Sequence, residues 1–424
     1  MFAEFTRKVK HVFTDKTLRK RVLFILFALA LFRALASVPI PGVHTDKLAE
    51  FFTDNQFLGL MDIFAAGGLS NISIVLLGVG PFITASIVMQ LLTVVSPKLK
   101  ALYQEEGDAG RQKFIQYARL LTVPLATLQA YGFLVFLMKN GVVSELSTYE
   151  MIVNTATIAA GSILLMWLGE LVTEFGIGNG VSIIIFAGIV ATLPTALYNA
   201  VFNFDQTQIP TYLALLFASV IVTAFTVFVT EAERPIPIHY TKQARLGQKA
   251  SAISTYLPIK VNQAGVMPII FAISVLLFPQ MLFQYLSAFG SETAANWADK
   301  LNTMYNDVYI YASVYFVFVV AFTYFYTAIT FEPKTVAENL QKSGAFIPGI
   351  RPGAQTMEYL ANVVTRITLF GALFLGFIAI LPVVVQNMTG LSGFALGGTA
   401  LLIAVSVVLD VIKKIEAQLS VREY

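Results

Sequence analysis

Side chains able to do acid–base, nucleophilic or metal chemistry are sparse in this chain and poorly spaced for it. Cys is absent, which removes disulfides, thiolate metal sites and a cysteine nucleophile. Three His stand far apart, at His11, His44 and His239, and no two have the spacing of metal ligands. HExxH, GxSxG and the phosphate-binding glycine loop are missing, so neither a zinc or serine hydrolase nor an ATPase is indicated. Glu170, Glu174 and Asp410 fall at the ends of long apolar stretches, as do Arg33 and Arg366. An ion-coupled transporter or a paired-Asp intramembrane protease needs ionisable groups in the middle of such stretches. What remains is the chemistry of an apolar wall. It stops water and ions by dewetting and offers one solute no fixed hydrogen-bond pattern. A conduit with such walls, if the chain forms one, would take a chemically varied passenger.

The elements that would carry such a wall are long apolar helices. The chain has 424 residues, 57% hydrophobic and 12% charged. Soluble domains carry about 25% charged residues, which argues against an ordinary globular enzyme, and the apolar content excludes disorder. A bilayer core of ~30 Å takes ~20 helical residues. Stretches free of Asp, Glu, Lys and Arg run 63–96, 120–138, 151–169, 175–204, 206–230, 261–291, 308–331 and 367–408, preceded by 22–36 with Arg33 as its only charge. Pro382, Gln386, Asn387, Gly390 and Gly393 divide the last into two, giving ten expected spans. The fold class expected is an all-α integral membrane protein.

Lys and Arg favour the cytoplasmic side of short loops. Arg7, Lys8, Lys10, Lys16, Arg19, Lys20 and Arg21 precede span one, and Lys98, Lys100, Arg111 and Lys113 follow span two. Arg234, Lys242, Arg245, Lys249 and Lys260 follow span six, Lys334, Lys342 and Arg351 follow span eight, and Lys413, Lys414 and Arg422 close the chain. The intervening loops hold only Lys47, Lys139 and Lys300. This bias predicts both termini in the cytoplasm. The first apolar run leads into Pro39-Ile40-Pro41-Gly42, unlike a signal-peptide cleavage site.

Some segments depart from plain spans. The 63–96 stretch is too long for one crossing, and Phe64-Ala65-Ala66-Gly67-Gly68-Leu69-Ser70-Asn71 is small and Gly-rich. The expectation is a half-helix, a break, and a full span from about Ile72 to Val95. The Gly-rich part reads either as an external loop or as a re-entrant element filling a cavity, since irregular backbone at membrane depth survives only inside protein or beside water. Gly78, Gly80, Pro81, Pro268 and Pro279 predict kinks in spans two and seven. In the loops 231–260 and 332–358, Arg234-Pro235-Ile236-Pro237-Ile238 predicts extended backbone and 344–353 cannot be helical. These loops are either solvated linkers or docking surfaces, the latter favoured by Phe346, Ile347 and Ile350 beside Arg351.

Several stretches together resemble the bacterial SecY family of protein-conducting channels. They are Phe32-Arg33 with Pro39-Ile40-Pro41-Gly42; Phe64 to Ser70; Gln90-Leu91-Leu92-Thr93; and Glu105-Glu106-Gly107 through Gly110-Arg111. Trp167-Leu168-Gly169-Glu170 with Gly176-Ile177-Gly178-Asn179-Gly180, Leu257 to Asn262, Gly344 to Gly353 and Gly397-Gly398-Thr399 complete the set, in the family's order over nearly the whole chain. The resemblance implies two pseudo-symmetric five-helix halves, 1–198 and 211–424, joined by an external hinge loop at 199–210. It implies a plug at about 60–71, including Phe64, Gly67, Gly68, Leu69 and Ser70. It implies a pore ring of Val79, Ile83, Val181, Ile185, Ile270 and Ile403. Val79/Ile83 and Val181/Ile185 are i,i+4 pairs, each on one helix face. Thr84, Gln90, Asn262 and Phe278 match lateral-gate positions, with a structural interhelical hydrogen bond as the alternative for Gln90 and Asn262. Lys242, Arg245, Lys249 and Arg351 match partner-docking positions, although 242–249 is less basic than in many relatives.

The partners implied are the small membrane subunits SecE and SecG, the SecA motor, the ribosome, membrane lipid and an unfolded preprotein with its signal sequence, with no sequence-specific nucleic-acid binding. No cofactor is implied, and no enzyme activity. The activity implied is passage of unfolded polypeptide across the bacterial plasma membrane and sideways release of transmembrane segments. The residues leave two rivals open: a secondary transporter with broken helices, and an insertase or scaffold without a through-pore.

Overall fold

The computed structural model describes residues 15–41, 72–104, 106–139, 143–144, 146–202, 209–240, 255–276, 307–389 and 397–420, with isolated positions between 279 and 304. The helices are α1 (Lys16–Ala36), α2 (Gly80–Val95), α3 (Pro97–Gln104), α4 (Gly107–Lys139), α5 (Thr148–Phe175) and α6 (Gly180–Phe202). They continue with α7 (Ile209–Glu231), α8 (Met267–Leu276), α9 (Val308–Thr330), α10 (Pro333–Lys342), α11 (Ala354–Thr389) and α12 (Gly397–Ser420). Each of the ten expected spans coincides with one of these, α3 and α10 being short additions. Among the described residues, four helical stretches are long and apolar enough to cross a bilayer by themselves: Gly107–Met138, Thr148–Phe175, Val308–Lys342 and Ala354–Val385. The pair α2 and α3, bent by 117°, makes a fifth if it counts as one span. On α7, Leu213, Leu216, Phe217 and Phe228 are each at least 64% exposed, as side chains facing lipid would be.

Local signals fix the helix starts. Asp15 accepts from the Thr17 N–H at 2.8 Å to cap α1. Ser147 and Glu150 form a reciprocal capping box on α5. Asp307 accepts from the Tyr309 and Ile310 N–H groups ahead of α9. Each such cap is worth about 1 kcal/mol.

The second span begins later than the sequence predicts. Ile72–Val79 is not helix but a run of turns in which Leu76, Gly78 and Gly80 donate to the carbonyls of Ser73, Val75 and Leu77. Gly78 has φ 57° and Ile72 φ 40°, the latter costly for a β-branched residue. Pro81 then stands in the first turn of α2, where its missing N–H would have no partner in any case. Pro268 holds the same place in α8, so it starts that helix rather than kinking it. The ninth span also starts earlier than expected, at Ala354, which leaves Arg366 inside α11, and Pro382 does not break that helix. The division into two lies between Thr389 and Gly397.

The two Pro-rich loops build a sheet of order β2-β1-β3, from β1 (Glu233–Tyr240), β2 (Thr255–Lys260) and β3 (Ala345–Phe346). It adds a small β element to an otherwise helical fold. Pro235 faces Pro258 and Pro237 faces Tyr256 in the β1–β2 register. The Val261 N–H donates to the Ala232 carbonyl at 2.9 Å, which makes the even-numbered β1 positions the hydrogen-bonded ones. All three prolines therefore occupy positions whose N–H would point away from the β1–β2 ladder, so they cost no bond between these strands and remove donors from the outer edges. Ile236, Ile259 and Ile347 pack from the sheet onto Leu360, Val363 and Val364 of α11.

Among the described residues two larger apolar clusters organise the rest, beside a small one of Met89, Phe114 and Ala118. The central one draws on α1, α2, α5, α6, α7, α8, α9, α11 and α12. A peripheral one gathers Ile40, Ile72, Leu76 and Leu77 against Ala130, Phe133, Leu134 and Leu137 of α4 and Ile158 of α5.

Candidate functional site

The six aliphatic residues singled out from the sequence come from four helices, and each belongs to or packs against one large buried cluster. Val79, Ile83, Ile185, Ile270 and Ile403 are no more than 6% exposed and all belong to the central cluster, and Val181 packs against it. They do not scatter outward. Val79 is the N-cap of α2 and Ile83 donates its N–H to the Val79 carbonyl at 3.1 Å, which stacks the two on one helix face. Val181 and Ile185 open α6, Ile270 opens α8, and Ile403 lies in the second turn of α12.

One side of this apolar centre opens into a cavity of about 250 Å³. Its polar lining is Asn179 and Ser182 of α6 with Ser406, Asp410 and Lys414 of α12, beside the backbone turn Ala264–Met267. Ile183, Val266 and Val407 line the cavity and also belong to the central cluster, so polar mouth and apolar centre are contiguous. Lys414 and Asp410 pair at 2.7 Å. Asn179 fixes the start of α6, its side chain accepting from the Ser182 N–H at 3.1 Å.

The polar gate candidates do not bond each other. Thr84 donates back to the Gly80 carbonyl at 3.0 Å. The buried amide oxygens of Gln90 and Asn262 both lack a hydrogen-bond partner, while the Asn262 amide nitrogen donates to the Gly265 carbonyl at 3.2 Å. Arg351 is exposed in the turn between β3 and α11, its carbonyl accepting from Thr356 Oγ1 at 2.9 Å. Phe278, the plug residues Phe64, Gly67, Gly68, Leu69 and Ser70, the docking residues Lys242, Arg245 and Lys249, and positions 203–208 of the hinge loop lie outside the described residues.

Several features have no local signature along the chain. Arg119 of α4 pairs with Glu170 of α5, and Lys413 of α12 pairs with Glu231 of α7 at 2.7 Å. The Gln263 side-chain oxygen is a further buried acceptor without a partner. Partners so distant along the chain leave no local pattern to find. Among the described residues no group of His, Asp and Glu could hold a metal ion.

The family model for SecY matches residues 73–412. The protein translocase subunit SecY of Vibrio cholerae is 42% identical over 417 residues, covering 96% of this chain and 93% of that protein. The subunit of the same name from Streptomyces griseus is 41% identical over 448 residues, covering 100% and 99%. Among solved structures, a protein-conducting channel superposes with TM-score 0.67 at 20% identity, covering 95% of this chain and 93% of that one. Sec61 in the canine ribosome–channel complex from the endoplasmic reticulum superposes with TM-score 0.64 at 20% identity, with the same coverage. A family match over most of the chain, together with relatives above 40% identity along its whole length, means that this chain belongs to the SecY family.

Proposed function

We propose that this chain is the channel-forming subunit of a protein translocase, passing unfolded polypeptide across the membrane and releasing apolar segments sideways into lipid. The observation that carries the reading is that Val79, Ile83, Val181, Ile185, Ile270 and Ile403, from four helices, all lie in or against one buried apolar cluster beside a polar mouth. A ring of branched alkyl groups yields to any side chain and binds none strongly, while water and ions meet a surface they cannot wet. A passenger segment of ~20 apolar residues is more stable in lipid than in a wet pore and leaves laterally. Thr84, Gln90, Asn262 and Phe278 line that exit. The unpartnered amide oxygens of Gln90 and Asn262 favour a seam that separates without breaking a hydrogen bond between them.

The two halves, 1–198 and 211–424, open about the 199–210 loop, with residues 60–71 as the plug. Both termini lie in the cytoplasm and the membrane is the bacterial plasma membrane, as the Lys and Arg bias supports. The sheet and its flanking loops then face the cytoplasm. There Lys242, Arg245, Lys249 and the exposed Arg351 receive the ribosome or the SecA motor, which supply the energy. SecE and SecG accompany the chain in the membrane.

The test is resting ion leak and preprotein export after Ile83→Asn, Ile270→Asn and Ile403→Asn in the reconstituted complex. Increased leak in these variants is expected, and unchanged gating in all three rejects the ring. Arg351→Glu is expected to abolish motor-driven export in vesicles, and normal export would reject its docking role.

A further inference from the structure

Building on the ring reading, we infer that Gly161 and Gly371 are paired positioning residues. Each is a flat seat, at mid-length of the fourth long helix of its half, for the irregular segment that leads into the ring-bearing second helix. On α5, a Cβ at Gly161 would fall inside the contact radius of the Ile74 carbonyl oxygen and 2.8 Å from the carbonyl carbon. On α11, a Cβ at Gly371 would lie 2.7 Å from the Val261 carbonyl oxygen and 3.5 Å from its carbon. Both obstructions are backbone, so no rotation of a side chain relieves them. A glycine within a helix costs roughly 0.5–1 kcal/mol relative to alanine, and the close approach of the neighbouring chain is what offsets it here.

The two seated segments share a plan. After Ile74 the chain turns through Gly78 at φ 57° and delivers Val79 to the ring. After Val261 it turns through Gly265 at φ 62° and delivers Ile270. On the first, Ile72, Leu76 and Leu77 enter the peripheral cluster while Val75 and Val79 enter the central one, so the segment is wedged between two cores. It is also tied to the end of α1, the Ile40 N–H donating to the Ile72 carbonyl at 2.9 Å and the Ile74 N–H to the Val38 carbonyl at 3.0 Å. The height at which Val79 and Ile270 enter the constriction is therefore set by how closely α5 and α11 let these backbones approach. The seats act through the ring residues and touch no passenger themselves.

The test uses the reconstituted complex with Gly161→Ala and Gly371→Ala, beside Ile83→Asn as a ring control and Gly376→Ala as a packing control. A Cβ at Gly376 has its three nearest atoms in the Phe316 ring, the closest at 2.6 Å, so the obstruction is a side chain rather than backbone. Resting ion conductance and the disulfide yield of a Val79→Cys/Ile403→Cys pair are measured in each background. Several-fold higher leak and a reduced crosslink are expected for Gly161→Ala, a smaller rise in leak for Gly371→Ala, and neither change for Gly376→Ala. If Ile83→Asn leaks while both seat variants stay tight with an unchanged crosslink, the seats are refuted and the ring stands. If Ile83→Asn does not leak, the ring itself fails. Should Gly161→Ala not accumulate, Gly371→Ala decides alone, since its looser approach leaves a folded protein in which a tight channel overturns the inference.

Discussion

The segments that introduce α2 and α8 solve one problem with different materials. Ile72–Val79 is dry: Ile72, Ser73, Val75, Leu76, Leu77 and Val79 are all buried, and its carbonyl approaches Gly161 within contact distance. Val261–Val266 is mixed. It follows a strand, holds Asn262 and Gln263 with unpartnered side-chain oxygens, and borders the 250 Å³ cavity through Ala264, Gly265 and Val266. The first is over-determined by apolar packing on two sides and tolerates an isoleucine at φ 40°. The second has space around its glycine turn and spare hydrogen-bond capacity. A channel that must open without losing its seal gains from that difference, because one wall can stay fixed while the other adjusts.

The comparison can be broken most forcefully at the dry segment. Leu76→Ala is expected to cost about 2–5 kcal/mol, because a fully buried side chain leaves a cavity that two packed clusters cannot close. Thermal unfolding in detergent would register it, and a loss no larger than that of Val266→Ala would mean the two segments are equally rigid. Gly78→Ala and Gly265→Ala come next. Each places a Cβ on a left-handed residue at about 1–2 kcal/mol, but the open surroundings of Gly265 let its turn relax. A smaller stability loss for Gly265→Ala is therefore expected, and the reverse order would contradict the soft-segment reading.

Asn262→Leu gives up one hydrogen bond to the Gly265 carbonyl and removes a buried acceptor that has no partner, so the net change should be within about 1 kcal/mol. Its sharper signature is slower export at unchanged melting temperature, because the closed arrangement loses its polar weak point. Smallest is Arg119→Met, which breaks the pair with Glu170. With the arginine 43% exposed, a change of roughly 0–1 kcal/mol is expected by the same unfolding assay.

The positions of the spans were legible because lipid imposes a coarse demand, ~20 apolar residues for each crossing. The extended 234–238 stretch and the non-helical 344–353 were legible from prolines and glycines. The start of α2 was not. Ile72–Val79 is as apolar as any helix, and only its seating against Gly161 and the extended 38–40 segment decides that it turns instead. The proposed ring rests on family resemblance, since in the sequence Ile270 and Ile403 are chemically identical to any other isoleucine of an apolar span.

Composition and charge placement by themselves determined a membrane-embedded, helical protein, because hydrophobic burial and the exclusion of charge from lipid act residue by residue. Tertiary structure alone decided which aliphatic side chains are buried in a shared cluster, which glycines admit a neighbouring backbone, and which buried amides go without a partner among the described residues. Those are matters of approach between segments distant along the chain, and no local preference encodes a distance.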